Sequence, residues 1–240
     1  LVGSEMCIRD SLPYILYNRV DRTPVFFAGK GGLFAEKRQP QRFIFPLRQN
    51  GDFVMSTYSM TVAGLQRELP ICKVTDDLYI GAFICFGDAE LTEACGRELL
   101  KLLEPGSYDY LFTAEAKSIP LIHEMARQSG AKKYFIARKG PKAYMPDPIH
   151  VEDRSITTAG VQKLYLGRDD ADLIRGKRIV LMDDVISTGG SLKAMEDLVA
   201  LAGGTVVARI AVLAEGDAAK RHDIRFLAPL PLFNPDGSVK

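Results

Sequence analysis

The stretch that most restricts the fold is RIVLMDDVISTGGS, Arg178–Ser191. Ile179–Met182 are apolar without interruption, which suits a parallel strand buried on both faces, because a strand with one face in water would alternate. Two carboxylates, Asp183 and Asp184, stand at its C-terminal end, the edge where open α/β sheets bind ligands. Thr188, Gly189, Gly190 and Ser191 then form a short loop into a helix, where free backbone N–H groups and the positive end of the helix dipole can hold a phosphate. The glycines let a ligand approach the backbone closely. The loop carries no lysine, unlike a P-loop, and acids beside a bound phosphate repel it unless they face something else. A hydroxyl pair or Mg²⁺ satisfies that condition. Acceptors next to a phosphate nest therefore predict a ribose 5-phosphate whose hydroxyls donate to the carboxylates.

The flanking sequence has the grammar of strands alternating with helices. LYIGAFICFG (Leu78–Gly87) reads as a strand, and Asp88 as the N-cap of a helix that buries Leu91, Ala94, Cys95, Leu99 and Leu102 before Pro105-Gly106 stops it. Tyr108–Thr113 is a second strand. Ser118 then caps a helix with Ile122, Met125 and Ala126 on one side, ending at Gly130, and Lys133–Arg138 is a third strand. VQKLYL (Val161–Leu166) reads as a further strand, Leu192–Ala202 as a helix ended by Gly203-Gly204, and Thr205–Ala214 as the last core strand. Lys139–Thr158, with three prolines and no clear period, is expected to be a lid or binding loop. A mostly parallel sheet with helices on both faces follows.

With 240 residues, 47% of them hydrophobic, the chain has ample material for a core. Its 31 basic and 30 acidic residues argue against a dedicated nucleic-acid binder, whose basic footprint would show in the balance. No apolar run reaches the roughly 18–20 residues that span a bilayer, and the expected location is the cytoplasm. Cys7, Cys72, Cys85 and Cys95 lack CxxC spacing, and His123, His150 and His222 lie far apart, so no zinc or disulfide pattern is present. Residues 1–54 are net basic and hold short apolar pieces such as VFF and FIF without sustained period. Their opening, LVGSEMCIRDS, looks like a translated sequencing adapter. This segment is expected to be a leader, non-native or disordered, and residues 55–240 one α/β domain, with Met55 or Met60 as its natural start.

VLMDDVISTGGS resembles the phosphoribosyl-pyrophosphate (PRPP) motif of the type I phosphoribosyltransferases: four apolar residues, two acids and a TGG-like loop. TAEAKSIPL (Thr113–Leu121) is similar to the pyrophosphate loop of the adenine-specific branch, and FIARKGPKAYMP (Phe135–Pro146) to its basic stretch. The resemblance implies a parallel sheet with a small hood, and transfer of phosphoribosyl from PRPP to a purine, adenine giving AMP, in nucleotide salvage. It implies Asp183, Asp184 and Lys139 as catalytic, and Val185, Ile186, Ser187, Thr188, Gly189, Gly190 and Ser191 as the PRPP loop. Ala114, Glu115, Ala116, Lys117, Arg138 and Lys142 would hold pyrophosphate. Mg²⁺ would arrive on PRPP with no direct protein ligand, the hood would come from Thr61–Val74 and Arg225–Phe233, and the protein would be a homodimer. Two departures stand out. Lys117 replaces the usual Arg, keeping charge but losing a bidentate fork, and SITTAGVQKLYL lacks the acidic residue expected after the flexible loop.

Blander readings compete with these. An Asp-Asp pair at a strand end is by itself more often a solvated turn, and STGGS behind it reverses that balance. Glu115 with Lys117 reads equally as a surface pair worth under about 1 kcal/mol, and Arg138, Lys139 and Lys142 as a solvated charge run. His123-Glu124 is half of HExxH, but Arg127 ends the match. The alternatives to an adenine enzyme are a xanthine or hypoxanthine phosphoribosyltransferase, a PRPP-binding regulator without turnover, and a phosphate-binding domain of unrelated chemistry.

Overall fold

The computed structural model describes Leu16–Tyr17, Pro24–Val25 and residues 57–153 and 162–240. The chain divides into two compact units, Leu1–Asp52 and Phe53–Lys240. In the first, β1 (Leu16–Tyr17) pairs antiparallel with β2 (Pro24–Val25). The second runs β3 (Thr57–Val62), β4 (Leu65–Thr75), β5 (Leu78–Gly81), α1 (Ala89–Leu100), β6 (Tyr110–Ala114), α2 (Ile119–Ser129) and β7 (Phe135–Ala137). It continues with β8 (Ile149–Asp153), β9 (Gln162–Leu166), α3 (Arg168–Ile174), β10 (Arg178–Ile186), α4 (Gly190–Leu201), β11 (Thr205–Glu215), a 3-10 turn (Gly216–Lys220), β12 (Arg225–Leu230) and β13 (Leu232–Phe233).

Five strands form an all-parallel sheet in the order β12-β11-β10-β6-β7. Strand β10 is central because both its faces are apolar. Ile179 and Leu181 enter one core cluster with Phe112, Phe135 and Met195, while Val180 and Met182 enter the other with Leu111, Leu121 and Ile210. All of Ile179–Met182 are 0% exposed, and each such side chain contributes roughly 1.5–3 kcal/mol of burial. Helix α1 starts where expected: the Asp88 carboxylate accepts from the Leu91 N–H at 2.9 Å. Gly130 ends α2 in the left-handed conformation, at φ 74°.

The order of the parallel strands reverses between β6 and β10. From β6 the chain steps through α2 to β7 on one side, then returns to β10 and builds β11 and β12 on the other. Loops leaving the carboxyl ends of β6 and β10 consequently diverge to opposite faces and open a crevice between them. A second, antiparallel sheet has the order β13-β5-β4-β3 and forms the hood. Its β3–β4 turn holds Ala63 and Gly64 at φ 51° and 81°, the positive values that a two-residue hairpin requires.

Four expectations need correction. Leu78–Gly87 is not a core strand: only Leu78–Gly81 is extended in a sheet, and that sheet is the hood, because Gly87 turns the chain at φ 78° into α1. Val161–Leu166 does not join the parallel sheet, since β9 pairs antiparallel with β8. The stretch Lys139–Thr158 is thus only partly loop. Within it, Ile149 and Val151 pack on the core while His150 and Glu152 are exposed, a period-two pattern. Leu164 and Leu166 are buried in the same core, and Arg138 and Tyr165 exchange both backbone hydrogen bonds at 2.8 Å. The segment 154–161, which includes all of SITTAG, lies outside the described residues. Finally, Arg225–Leu230 is an edge strand of the parallel sheet, where Pro229 is tolerated, and only Leu232–Phe233 crosses to the hood.

Candidate functional site

The crevice is built from the carboxyl ends of β6 and β10. Ser118 was expected to cap α2, but its side chain makes no cap bond. Its hydroxyl instead donates to Asp183 Oδ1 at 2.9 Å and accepts the Asp184 N–H at 2.9 Å. The same hydroxyl lies 3.4 Å from Asp184 Oδ1, and its single proton favours the shorter partner. Thr113 Oγ1 donates to the Met182 carbonyl at 2.7 Å, so the two strand ends are locked together below the acids.

Lys117 completes this arrangement. Its Nζ lies 2.7 Å from Asp184 Oδ2, with the lysine half exposed and the aspartate side chain only 6% exposed. The Cys85 thiol donates to the Lys117 carbonyl at 3.3 Å. Burial pushes that thiol up to about 11 and the Cys95 thiol up to about 12, so both are inert small apolar groups. Glu115, joined to Ala116 by a cis peptide, accepts from the Lys139 N–H and pairs as an ion with Arg138, whose Nε lies 2.8 Å away. Ala114–Lys117 and Arg138 are therefore tied at one place. Lys139 is exposed and Lys142 half-buried, and among the described residues no ion pair joins either ammonium to the carboxylates.

Asp183 and the loop behind it line an open cavity of about 110 Å³, with Val185–Ser191 and Leu192 forming the rest of its wall. Gly189 sits at φ 84° and starts α4. The two acids are thus unlike. Asp183 faces the cavity, and burial first, then the Asp184 charge, push its carboxyl up to about 7. Asp184 faces Lys117 and Ser118. Burial pulls the Lys117 ammonium down, but the Asp184 charge and hydrogen bond outweigh it, and the net direction is up.

Two residues at the crevice escaped sequence reading. Ser118 looked like an ordinary cap. Glu215 ends β11 almost wholly buried; burial raises its carboxyl, while the Ser187 hydroxyl and Lys117 oppose that rise. Its signal was position alone: the last residue of a core strand adjacent to β10.

A parallel sheet, a crevice at its switch point and a glycine-bordered cavity beside paired acids define an α/β protein with a candidate ligand site at the carboxyl edge of its sheet. The chain belongs to the phosphoribosyl transferase domain family, whose match spans residues 90–228. It is 42% identical over 97 residues to an adenine phosphoribosyltransferase of Mycolicibacterium paratuberculosis, covering 40% of this chain and 50% of that protein. A Renibacterium salmoninarum adenine phosphoribosyltransferase is 33% identical over 136 residues, covering 54% of this chain and 71% of that one. The chain thus spans about half the length of the first of these relatives. In fold, it superposes on the Rhodothermus marinus adenine phosphoribosyltransferase with a TM-score of 0.51 at 21% identity, over 73% of this chain and 94% of the other.

Proposed function

We propose that this protein transfers the 5-phosphoribosyl group of PRPP to adenine, giving AMP and pyrophosphate. The observation that carries this reading is Asp183 facing the cavity bounded by Ser187–Ser191, at the switch point of the sheet. The cavity matches a phosphate held by backbone N–H groups at the start of α4, and Asp183 stands where a ribose hydroxyl would donate. The similarity to two adenine phosphoribosyltransferases supports adenine as the base.

Displacing pyrophosphate leaves positive charge on the ribose carbon and negative charge on the departing group. Asp183 favours the first by its own charge once it is ionised, and Ser118 holds that carboxylate in place. The second is met by backbone N–H groups of Ala114–Lys117 and by Arg138, held 2.8 Å from Glu115. Lys117 reaches pyrophosphate by leaving Asp184, which an exposed ammonium on a flexible stem can do. Lys139 and Lys142 sit on the stretch leading to the β8–β9 hairpin, which would cover the site and exclude water. Two carboxylates forced together, one with a raised proton affinity, fit a nearby dication. Mg²⁺ carried by PRPP, beside Asp183, would supply Lewis-acid neutralisation of the leaving group. A cytoplasmic homodimer working in purine salvage belongs to the same reading. Among the described residues no helix is long and apolar enough to cross a membrane, and the balanced net charge of +1 favours no nucleic-acid partner.

The test is pyrophosphate release by the full chain from PRPP and Mg²⁺, with adenine, hypoxanthine, guanine, xanthine and orotate supplied separately. Release with adenine alone is the expected result. Turnover with another base reassigns the substrate, tight PRPP binding without turnover points to a regulator, and no PRPP binding refutes the reading.

A further inference from the structure

The segment from Asp183 to Leu192 contains no lysine or arginine. A phosphate dianion in this loop meets backbone dipoles and hydroxyls, with the carboxylates of Asp183 and Glu215 nearby. Dipoles alone hold a dianion less firmly than dipoles with a cation, so the charge balance calls for a basic group from another element.

Arg221, directly after the 3-10 turn, is that group. A Cβ built on Gly189 would lie 2.6 Å from Arg221 Nη1 and 3.8 Å from its Cζ. The guanidinium therefore rests against the loop backbone at the residue whose positive φ turns the chain into α4. Asp223 accepts from Arg221 Nε at 2.9 Å and from Nη2 at 2.7 Å, a fork-on-fork pair that fixes the guanidinium plane. Nη1, the corner beside Gly189, has no acceptor among the described residues. Gly189 is needed twice here: for its φ of 84°, and because any side chain would collide with the guanidinium.

We infer that Arg221 is a phosphate-binding residue, whose Nη1 donates to the ribose 5-phosphate held at Ser187–Ser191 while Asp223 holds it in position. This deepens the phosphoribosyl reading and rests on it. Arg221 supplies the charge that a P-loop takes from a lysine inside its own loop, but from the far end of the next strand.

The test is equilibrium binding of ribose 5-phosphate and, separately, of pyrophosphate with Mg²⁺ to the wild-type chain, R221A and R221K. Losing one charge-assisted hydrogen bond weakens ribose 5-phosphate by roughly 10- to 100-fold in R221A. R221K recovers part of that loss by restoring charge without the fork, and pyrophosphate binding stays within about twofold by its distance from the loop in the proposed arrangement. Unchanged ribose 5-phosphate affinity in R221A, or equal loss for both ligands, overturns the assignment of Arg221 alone. Wild-type protein that binds neither ligand overturns the phosphoribosyl reading and this inference with it.

Discussion

Replacing Asp183 with Asn should stabilise the ligand-free protein above neutral pH while weakening its hold on PRPP. The carboxyl rises from its ordinary value of 3.8 to about 7, chiefly through burial and then through the Asp184 charge. Between those values the folded protein keeps a proton that the unfolded chain has released. Stability therefore falls as pH rises through this window, and the full cost is present above about 7. Each pH unit inside the window is worth about 1.4 kcal/mol, an upper bound here because the cavity is open to water; a difference on the order of 2 kcal/mol at pH 8 is expected. Asn keeps the acceptor oxygen that takes the Ser118 hydroxyl and the Asp184 N–H, both at 2.9 Å, so the comparison isolates charge. Urea unfolding of both proteins, followed by circular dichroism from pH 5 to pH 8.5, measures the gap. Subtracting one curve from the other cancels carboxylates whose pairing lowers them, such as Asp223 beside Arg221. A gap that does not widen with pH, or a variant less stable than wild type at pH 8, refutes the reasoning.

Lys117→Met keeps the aliphatic stem but leaves the Asp184 side chain, 6% exposed, without its ion pair. A loss of about 1–3 kcal/mol is expected, reduced from the fully buried case because the lysine is half exposed, together with weaker pyrophosphate binding by calorimetry. Gly204→Ala places a Cβ 2.6 Å from Ile174 Cγ2 and 3.0 Å from Val199 Cγ1. Overpacking there should cost about 1–3 kcal/mol in denaturant unfolding and leave PRPP affinity unchanged, since Gly204 immediately precedes β11, at the end of the sheet opposite the crevice.

The site was legible where one segment carried both its fold and its chemistry. Ile179–Met182 could be read as doubly buried because no polar residue interrupts them, and the acids and glycines follow at once. Features that depend on distant partners were not legible. Ser118 has the side chain of a helix cap, and only the approach of β10 gives its hydroxyl a carboxylate to serve. Leu78–Gly81 has the composition of a core strand, yet which sheet it joins is decided by β4 and β13 on either side. The β8–β9 hairpin was hidden by the prolines before it, and α3, seven residues with Ala171 and Ile174 as its buried positions, is too short for a clear period.

The charge layout explains how one strand edge can carry two acids and still receive a polyanion. Asp183 and Asp184 are adjacent in sequence and share the Ser118 hydroxyl, 2.9 Å from the first and 3.4 Å from the second, so the Asp184 charge raises the proton affinity of Asp183. Lys117 neutralises Asp184 from the β6 side, at 2.7 Å, and leaves Asp183 as the carboxylate facing the cavity. On the β11 side, the Ser187 hydroxyl and Lys117 ease the cost of keeping Glu215 charged in a buried position. Arg221 then sets a cation against the loop at Gly189. In the proposed reaction, Asp183 would then face the ribose carbon as it becomes positive, and Lys117 and Arg221 the two phosphate positions. Without the Lys117 ammonium, Asp184 would stand as a second unpaired carboxylate beside Asp183 and oppose a ligand's phosphates. Pairing Asp184 with Lys117 eases that conflict, and in the proposed reaction the same ammonium would turn to the departing pyrophosphate.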